Sequence, residues 1–210
     1  MEVNIPNAIK SFIRVLHASP QTPAVDVYIN SIPTIKNLQY KGFTEYLPIS
    51  SGTYNVKLFR AGTAVLIYEK DIKIAPNEIL TVCAIGKDAK DLSLFPVKDP
   101  KLQIDTSKSY LRLVHLSPNT LPVDVITSQG IVLFQNVGYT EKQGYISLQP
   151  SIYHIDINLS NTTNSVLYVP NMKLLPNKFY TIYLVGLLDD TPPLQVLIPL
   201  DGNSYISFFS

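Results

Sequence analysis

Three side chains of the types used in hydrolysis, His17, Ser19 and Asp26, stand within ten residues of one another, and the same types recur as His115, Ser117 and Asp124. Such a set catalyses acyl transfer only if the imidazole reaches the hydroxyl and a carboxylate orients the imidazole. On an extended strand residues two apart share a face, so His17 and Ser19 could be neighbours. Both serines, however, directly precede a proline in a turn-like stretch, and no Gly-x-Ser-x-Gly elbow is present. No catalytic residue is therefore assigned, and the residues read as framework. His17 ends a strand, where a half-buried ring can bond a loop carbonyl. Ser19 and Thr22 can close the turn through local hydrogen bonds. Arg14 and Asp26 are expected to pair across the Ala18–Pro23 turn as cross-strand neighbours, and Arg112 and Asp124 to do the same.

The elements that must position these residues are written twice. Phe12–Val27 recurs as Tyr110–Val125, with Arg14, His17, Ser19, Pro20 and Asp26 each 98 positions from its counterpart and no gap. Gly42-Phe-Thr-Glu45 returns as Gly138-Tyr-Thr-Glu141, Pro76-Asn77 as Pro176-Asn177, and the Thr81–Gly86 run as Thr181–Gly186. A fixed-period repeat defines architecture before any local motif does. It predicts two copies of one domain, residues 1–97 and 110–210, joined by the polar interval 98–109.

Within each copy, short runs of alternating or continuous apolar residues are separated by Gly, Pro, Asn and Asp. In copy one strands are expected over Ser11–Leu16, Val25–Asn30, Phe43–Ile49, Tyr54–Phe59, Ala64–Ile74, Ile79–Ile85 and Leu92–Val97, with Ser31–Pro33 as a turn. No window carries a helical period of apolar positions. The fold class is all-β: two tandem antiparallel β-sandwich domains, Ig-like or transthyretin-like.

Composition narrows function by exclusion. Of 210 residues, 46% are hydrophobic and 16% charged, which suits a packed globular chain. A net charge of +1 removes the electrostatic case for nucleic acid. One cysteine, Cys83, lies in the apolar run Ile79–Ile85, so no internal disulfide or thiolate cluster is expected, only a buried thiol. His17, His115 and His154 fall in separate segments. Asp88 with Asp91, or Asp189 with Asp190, could offer oxygen ligands to calcium, but without the spacing of a dedicated loop; no metal and no cofactor is assigned. No apolar run reaches the length of a membrane span, and no secretory leader is visible at the N-terminus.

The block Arg-Val-Leu-His-Ala-Ser-Pro, followed by Pro-Ala-Val-Asp-Val-Tyr-Ile-Asn, then Gly-Phe-Thr-Glu-Tyr and Ser-Gly-Thr-Tyr, resembles the bacterial and archaeal domain-of-unknown-function family 4397 (DUF4397). The resemblance covers both copies, nearly residues 11–200. It departs from the pattern in copy two, where Leu116, Leu121 and Ile126 replace Ala, Ala and Tyr. What it implies is a β-rich domain, often exported or displayed on a cell surface, with no established activity.

Thirteen tyrosines and no tryptophan leave an aromatic signal. Tyr28, Tyr40, Tyr46 and Tyr145 fall at strand ends or outward positions, where an amphipathic ring can stack on sugar or enter a protein contact. Residues 204–210 alternate Tyr205 and Phe209 against Ile206 and Phe208, without charge and without a counterpart in copy one. They are expected to form an additional strand that must be covered, by the chain's own sheet or by another molecule. The function expected is a structural or interaction protein, of a cell-surface layer or spore coat, whose partner is a second copy or another protein. The alternative is a module that binds carbohydrate or another extracellular ligand.

Overall fold

The computed structural model of the chain describes residues 10–100, 102 and 104–206. In the first copy the strands are β1 (Lys10–His17), β2 (Val25–Ile29), β3 (Ile32–Leu38), β4 (Leu47–Ser50), β5 (Gly52–Arg60), β6 (Leu66–Ile74), β7 (Ile79–Ile85) and β8 (Ser93–Lys98). The second repeats them as β9 (Ser109–His115), β10 (Val123–Thr127), β11 (Val132–Val137), β12 (Ile146–Leu148), β13 (Ser151–Leu159), β14 (Ser165–Leu174), β15 (Lys178–Val185) and β16 (Gln195–Leu197). Each domain is a sandwich of two four-stranded sheets, ordered β4-β1-β7-β8 over β3-β2-β5-β6 in the first and β12-β9-β15-β16 over β11-β10-β13-β14 in the second. Pairing is antiparallel except for β1 with β7 and β9 with β15, which run parallel.

The strand period of two decides what each face buries. Along β1, Ile13 and Val15 enter the first domain's core with Leu80, Val82 and Ala84 of β7. Along β9, Leu111 and Leu113 enter the second with Tyr180, Ile182 and Leu184 of β15. The opposite faces of these strands are not solvated. Leu16, Cys83 and Ile85 from one domain and Val114, Leu116, Tyr183 and Val185 from the other form a third apolar cluster between the two β1/β9-containing sheets. This explains why β7 and β9 are buried at every position. A strand buried on both faces reads as a continuous apolar run, as Ile79–Ile85 does.

Three local expectations change. Ile32 and Pro33, expected in the turn Ser31–Pro33, open the strand β3, which runs Ile32–Leu38 where no strand was expected. It is an edge strand exposed at most positions, and an edge tolerates Pro33 because that residue need not donate to a neighbour. The run expected from Phe43 starts at Leu47, Phe43 making only an isolated bridge to Leu16. The polar interval after β8 opens on Asp99, which is buried rather than solvated.

Candidate functional site

The repeated residues are drawn into two kinds of polar framework. The Ala18–Pro23 segment carries the chain from one sheet to the other, so β1 and β2 never pair. The predicted contacts Arg14–Asp26 and Arg112–Asp124 are therefore not formed. Asp26 instead accepts the backbone N–H of Asn37 at 2.7 Å and of Gly62 at 3.0 Å. Asp124 accepts that of Asn136 at 2.7 Å and the Ser160 hydroxyl at 2.7 Å. Asn37 and Asn136 sit at φ 54° and 53°, where β3 and β11 bulge by one residue against β2 and β10. The carboxylate replaces the ladder acceptor that the bulge removes. Its backbone donors hold the Asp26 carboxyl below the usual carboxylate range.

Neither histidine faces its serine hydroxyl. His17 Nε2 lies 3.0 Å from the Pro23 carbonyl oxygen, so that nitrogen carries the proton. Ser19 Oγ is 2.6 Å from Thr22 Oγ1, and Ser117 Oγ is 2.6 Å from Thr120 Oγ1 while donating to the Gly186 carbonyl. His115 Nδ1 accepts the backbone N–H of Ser117. Burial holds both imidazoles below their ordinary pKa, His115 at about 4. A buried neutral ring fixed to loop backbone positions a turn; it has no hydroxyl to activate.

The arginines build the second framework, and it crosses the domain boundary. Arg14 of β1 donates Nε to Thr81 Oγ1 (2.8 Å), Nη1 to the Leu200 carbonyl (2.8 Å) and Nη2 to Asp201 Oδ1 (3.0 Å). Arg112 of β9 donates Nε to Thr181 Oγ1 (2.7 Å), Nη1 to the Lys98 carbonyl (2.6 Å) and Nη2 to Asp99 Oδ1 (2.6 Å). Each domain's arginine thus takes the aspartate that follows the last strand of the other domain. A tyrosine caps each guanidinium: Tyr46 lies 4.6 Å below Arg14, and Tyr145 4.5 Å below Arg112. The same tyrosines donate to Asp99 (3.2 Å) and Asp201 (2.6 Å). Arg112 also reaches Asp201 at 3.5 Å, so two guanidinium groups and two carboxylates form one neutral cluster. Burial and the nearby Asp201 raise the Asp99 carboxyl to about 6. Burial alone would lower Arg14, but Tyr46, Tyr183 and Asp201 hold it above its ordinary value.

Tyr46 and Tyr145, expected at strand ends or outward positions, are half-buried against the two guanidinium groups, and Tyr40 packs at the edge of the inter-domain cluster. Tyr28 does face outward. It meets Phe59 with ring centroids 4.8 Å apart, in a shallow concavity shared with Lys36, Asn37 and Gly62. Copy two has Ile126 and Asn158 at those places. Of the strand expected over residues 204–210, the described part, 204–206, forms no strand, and 207–210 lie outside the described residues. Gly202–Ser204 is a 3-10 turn, held where Gly202 N–H meets Asp99 Oδ2 (2.9 Å) and Ser204 Oγ meets Phe179 N–H (2.8 Å). Tyr205 is exposed and packs edge-on to Tyr46; Phe208 and Phe209 lie outside the described residues. Cys83 is buried in the inter-domain cluster, its thiol pushed up to about 12. Asp91 accepts the backbone N–H groups of Lys87 and Asp88, and Asp190 pairs with Lys87. Among the described residues no group of three or more His, Cys, Asp or Glu is placed to hold a metal.

A tandem β-sandwich locked by reciprocal ion pairs, with its repeated polar residues in structural bonds, is the class of protein this geometry defines. The chain belongs to the family described as Domain of unknown function (DUF4397), whose model matches residues 11–126 and again 109–205. No curated protein matches it. Among solved structures it is similar to a family-CBM26 module, CBMbc, of Eubacterium rectale Amy13K in complex with maltoheptaose, at 9% identity over 90% of this chain and 96% of that one, TM-score 0.27. It is similar also to the Bacillus anthracis TIE protein, at 17% identity over 83% of this chain and 33% of that one, TM-score 0.28. A third is a cell adhesion candidate from Bacteroides ovatus, at 8% identity over 91% and 96%, TM-score 0.28. Values this low leave the functional reading to the chain's own residues.

Proposed function

We propose that the chain is a non-enzymatic structural or interaction protein, which offers two rigidly coupled sandwich domains to a partner in a cell-surface or spore-surface layer. The observation that carries this reading is the reciprocal pairing of Arg14 with Asp201 and Arg112 with Asp99. Buried ion pairs at an inter-domain boundary add little net stability but fix one geometry, since any other arrangement strands a charge. Two domains held in one orientation suit a protein that spaces or bridges others. The use of His17, Ser19 and Asp26 in framework bonds supports a non-catalytic role.

A second reading, a carbohydrate-binding module, is favoured by the Tyr28–Phe59 concavity, where apolar ring faces lie beside polar Lys36 and Asn37. Light scattering and a glycan-array screen on the whole chain separate the two. Assembly without glycan signal supports the first; a monomer whose glycan signal disappears in Tyr28→Ala supports the second. A hydrolytic activity abolished by changing His17 and His115 together to Gln would overturn both.

A further inference from the structure

The two domains share a topology but not a core volume. Pairing positions by the repeat, Leu80 and Val82 of β7 correspond to Tyr180 and Ile182 of β15, and Ile72 of β6 to Met172 of β14. Ile35 of β3, opposite Val27, corresponds to Phe134 of β11, opposite Val125. Three of these four changes are to a larger side chain in the second domain, where Phe134, Met172, Tyr180 and Ile182 are all in the packed core. The first domain, with smaller residues on the same frame, retains a half-enclosed cleft of about 200 Å³ between β6 and β8. Its apolar walls are Ile72, Ile74, Leu80, Val82, Leu94 and Pro96.

A lysine stands where the cleft opens. Lys70 pairs with Val56 across β5 and β6, and Val56 is a core residue, so Lys70 occupies the inward phase of its strand. Its counterpart in the second domain, opposite Ile155, is Val169. Among the described residues no carboxylate pairs with Lys70, nor with Lys73 beside it at the rim. Asp71 also lines the cleft, but its carboxylate accepts from the Asn55 amide on the opposite phase of the strand, and Glu69 pairs with Lys57, which leaves two lysines against one engaged carboxylate at the opening. The opening is thus cationic and the interior apolar. An engineered cavity of about 150 Å³ takes up benzene, so this cleft has room for one ring or a short acyl chain.

We propose that the cleft of the first domain binds a small amphiphile with one anionic head, of the aliphatic or aryl monocarboxylate class, its tail among Ile72, Leu80 and Val82 and its carboxylate at Lys70. The second domain, filled and carrying valine in place of the lysine, binds none. An inward-pointing lysine on an edge strand can also serve only to discourage strand association, and the test separates the two roles.

The probes are octanoate and, as its uncharged analogue, octanol, titrated into the full chain by calorimetry and by methyl NMR. Octanoate is expected to bind once, with shifts confined to Ile72, Ile74, Leu80, Val82 and Leu94. Lys70→Val should weaken octanoate about fivefold, the size of one partly exposed ion pair, and leave octanol unchanged. Leu80→Tyr with Val82→Ile, the residues of the second domain, should abolish both. No octanoate binding by the unaltered chain overturns the proposal. So does a Lys70→Val variant that binds octanoate as before but self-associates, which assigns the lysine to edge protection. Should the double variant fail to fold, the octanoate–octanol comparison in Lys70→Val still decides.

Discussion

Arg14 and Asp201 are 187 positions apart in the chain, yet their side chains meet at 3.0 Å with almost no exposure, and Arg112 and Asp99 repeat the contact in the opposite sense. The tandem domains are therefore joined by more than a covalent linker: the end of each one completes the other. Removing one member of a buried pair leaves an uncompensated charge, which costs about 3–5 kcal/mol. Arg14→Met is expected to lower stability in urea by that amount. Arg14→Met with Asp201→Leu should recover much of the loss, and a double-mutant cycle measures the recovery. Equal losses in the single and double variants would mean the pair contributes nothing specific.

Cys83 offers a direct reporter of that boundary. Its thiol lies in the inter-domain cluster and burial raises its pKa to about 12, so almost none is thiolate at neutral pH. Alkylation by iodoacetamide should be very slow in the native chain and complete in denaturant. In Arg14→Met it should accelerate before either domain melts. A native thiol that reacts at once would show that the two sheets are not packed together.

The histidines set an acid limit. Burial lowers the folded pKa of His115 to about 4, while the unfolded chain keeps its ordinary value near 6.5. Between those values the unfolded state binds more protons, so the stability due to this group is whole above pH 6.5 and is lost as pH falls towards 4. The full span is about 3 kcal/mol. Asp99, raised to about 6, acts in the opposite sense, because its folded carboxyl takes up a proton first as pH falls. The His115→Gln variant isolates the histidine: its stability should fall less than that of the unaltered chain between pH 6.5 and 4. Parallel pH profiles would contradict the burial of a neutral ring.

The bulge carboxylates give a local prediction. Asp26→Ala leaves the exposed Asn37 and Gly62 N–H groups to water in place of their acceptor, at a cost of about 0.5–1.5 kcal/mol. Hydrogen exchange should quicken at Asn37 and Gly62 and stay unchanged in the second domain. Because the folded pKa of Asp26 is depressed, its contribution is present above the unfolded carboxylate pKa and lost as pH falls below it.

The end of the chain gives the last. Truncation after Asp201 removes the Gly202 N–H that Asp99 accepts and the Ser204 hydroxyl that Phe179 N–H donates to. A lower melting temperature without a change in mass by light scattering is expected. Loss of an oligomer with melting unchanged would instead assign the segment to contacts between molecules.

What the amino-acid sequence determines by itself is whatever depends on near neighbours and on repetition. The ungapped match of Phe12–Val27 with Tyr110–Val125 predicts two copies, and the two-residue period of runs such as Val25–Ile29 predicts strands. The glycines closing the Thr81–Gly86 and Thr181–Gly186 runs stand at φ 123° and 89°, left-handed turns that end strands where local composition says they should. The partner of each polar residue is another matter. Arg14 and Asp26 recur together and lie close in the chain, but the Ala18–Pro23 segment changes sheets, and no local signal distinguishes a crossing from a hairpin. The burial of β1's second face, the exchange of Asp99 and Asp201 between domains, and the half-buried place of Tyr46 and Tyr145 arise only when two sheets meet. A face that reads as solvent-directed in one domain becomes interior once the other covers it, and the separation of the partners gives no guide: Arg112 and Asp99 are 13 positions apart, Arg14 and Asp201 187. Tertiary structure alone decided those pairings, because burial is a property of what packs against a residue and not of the residue's neighbours in the chain.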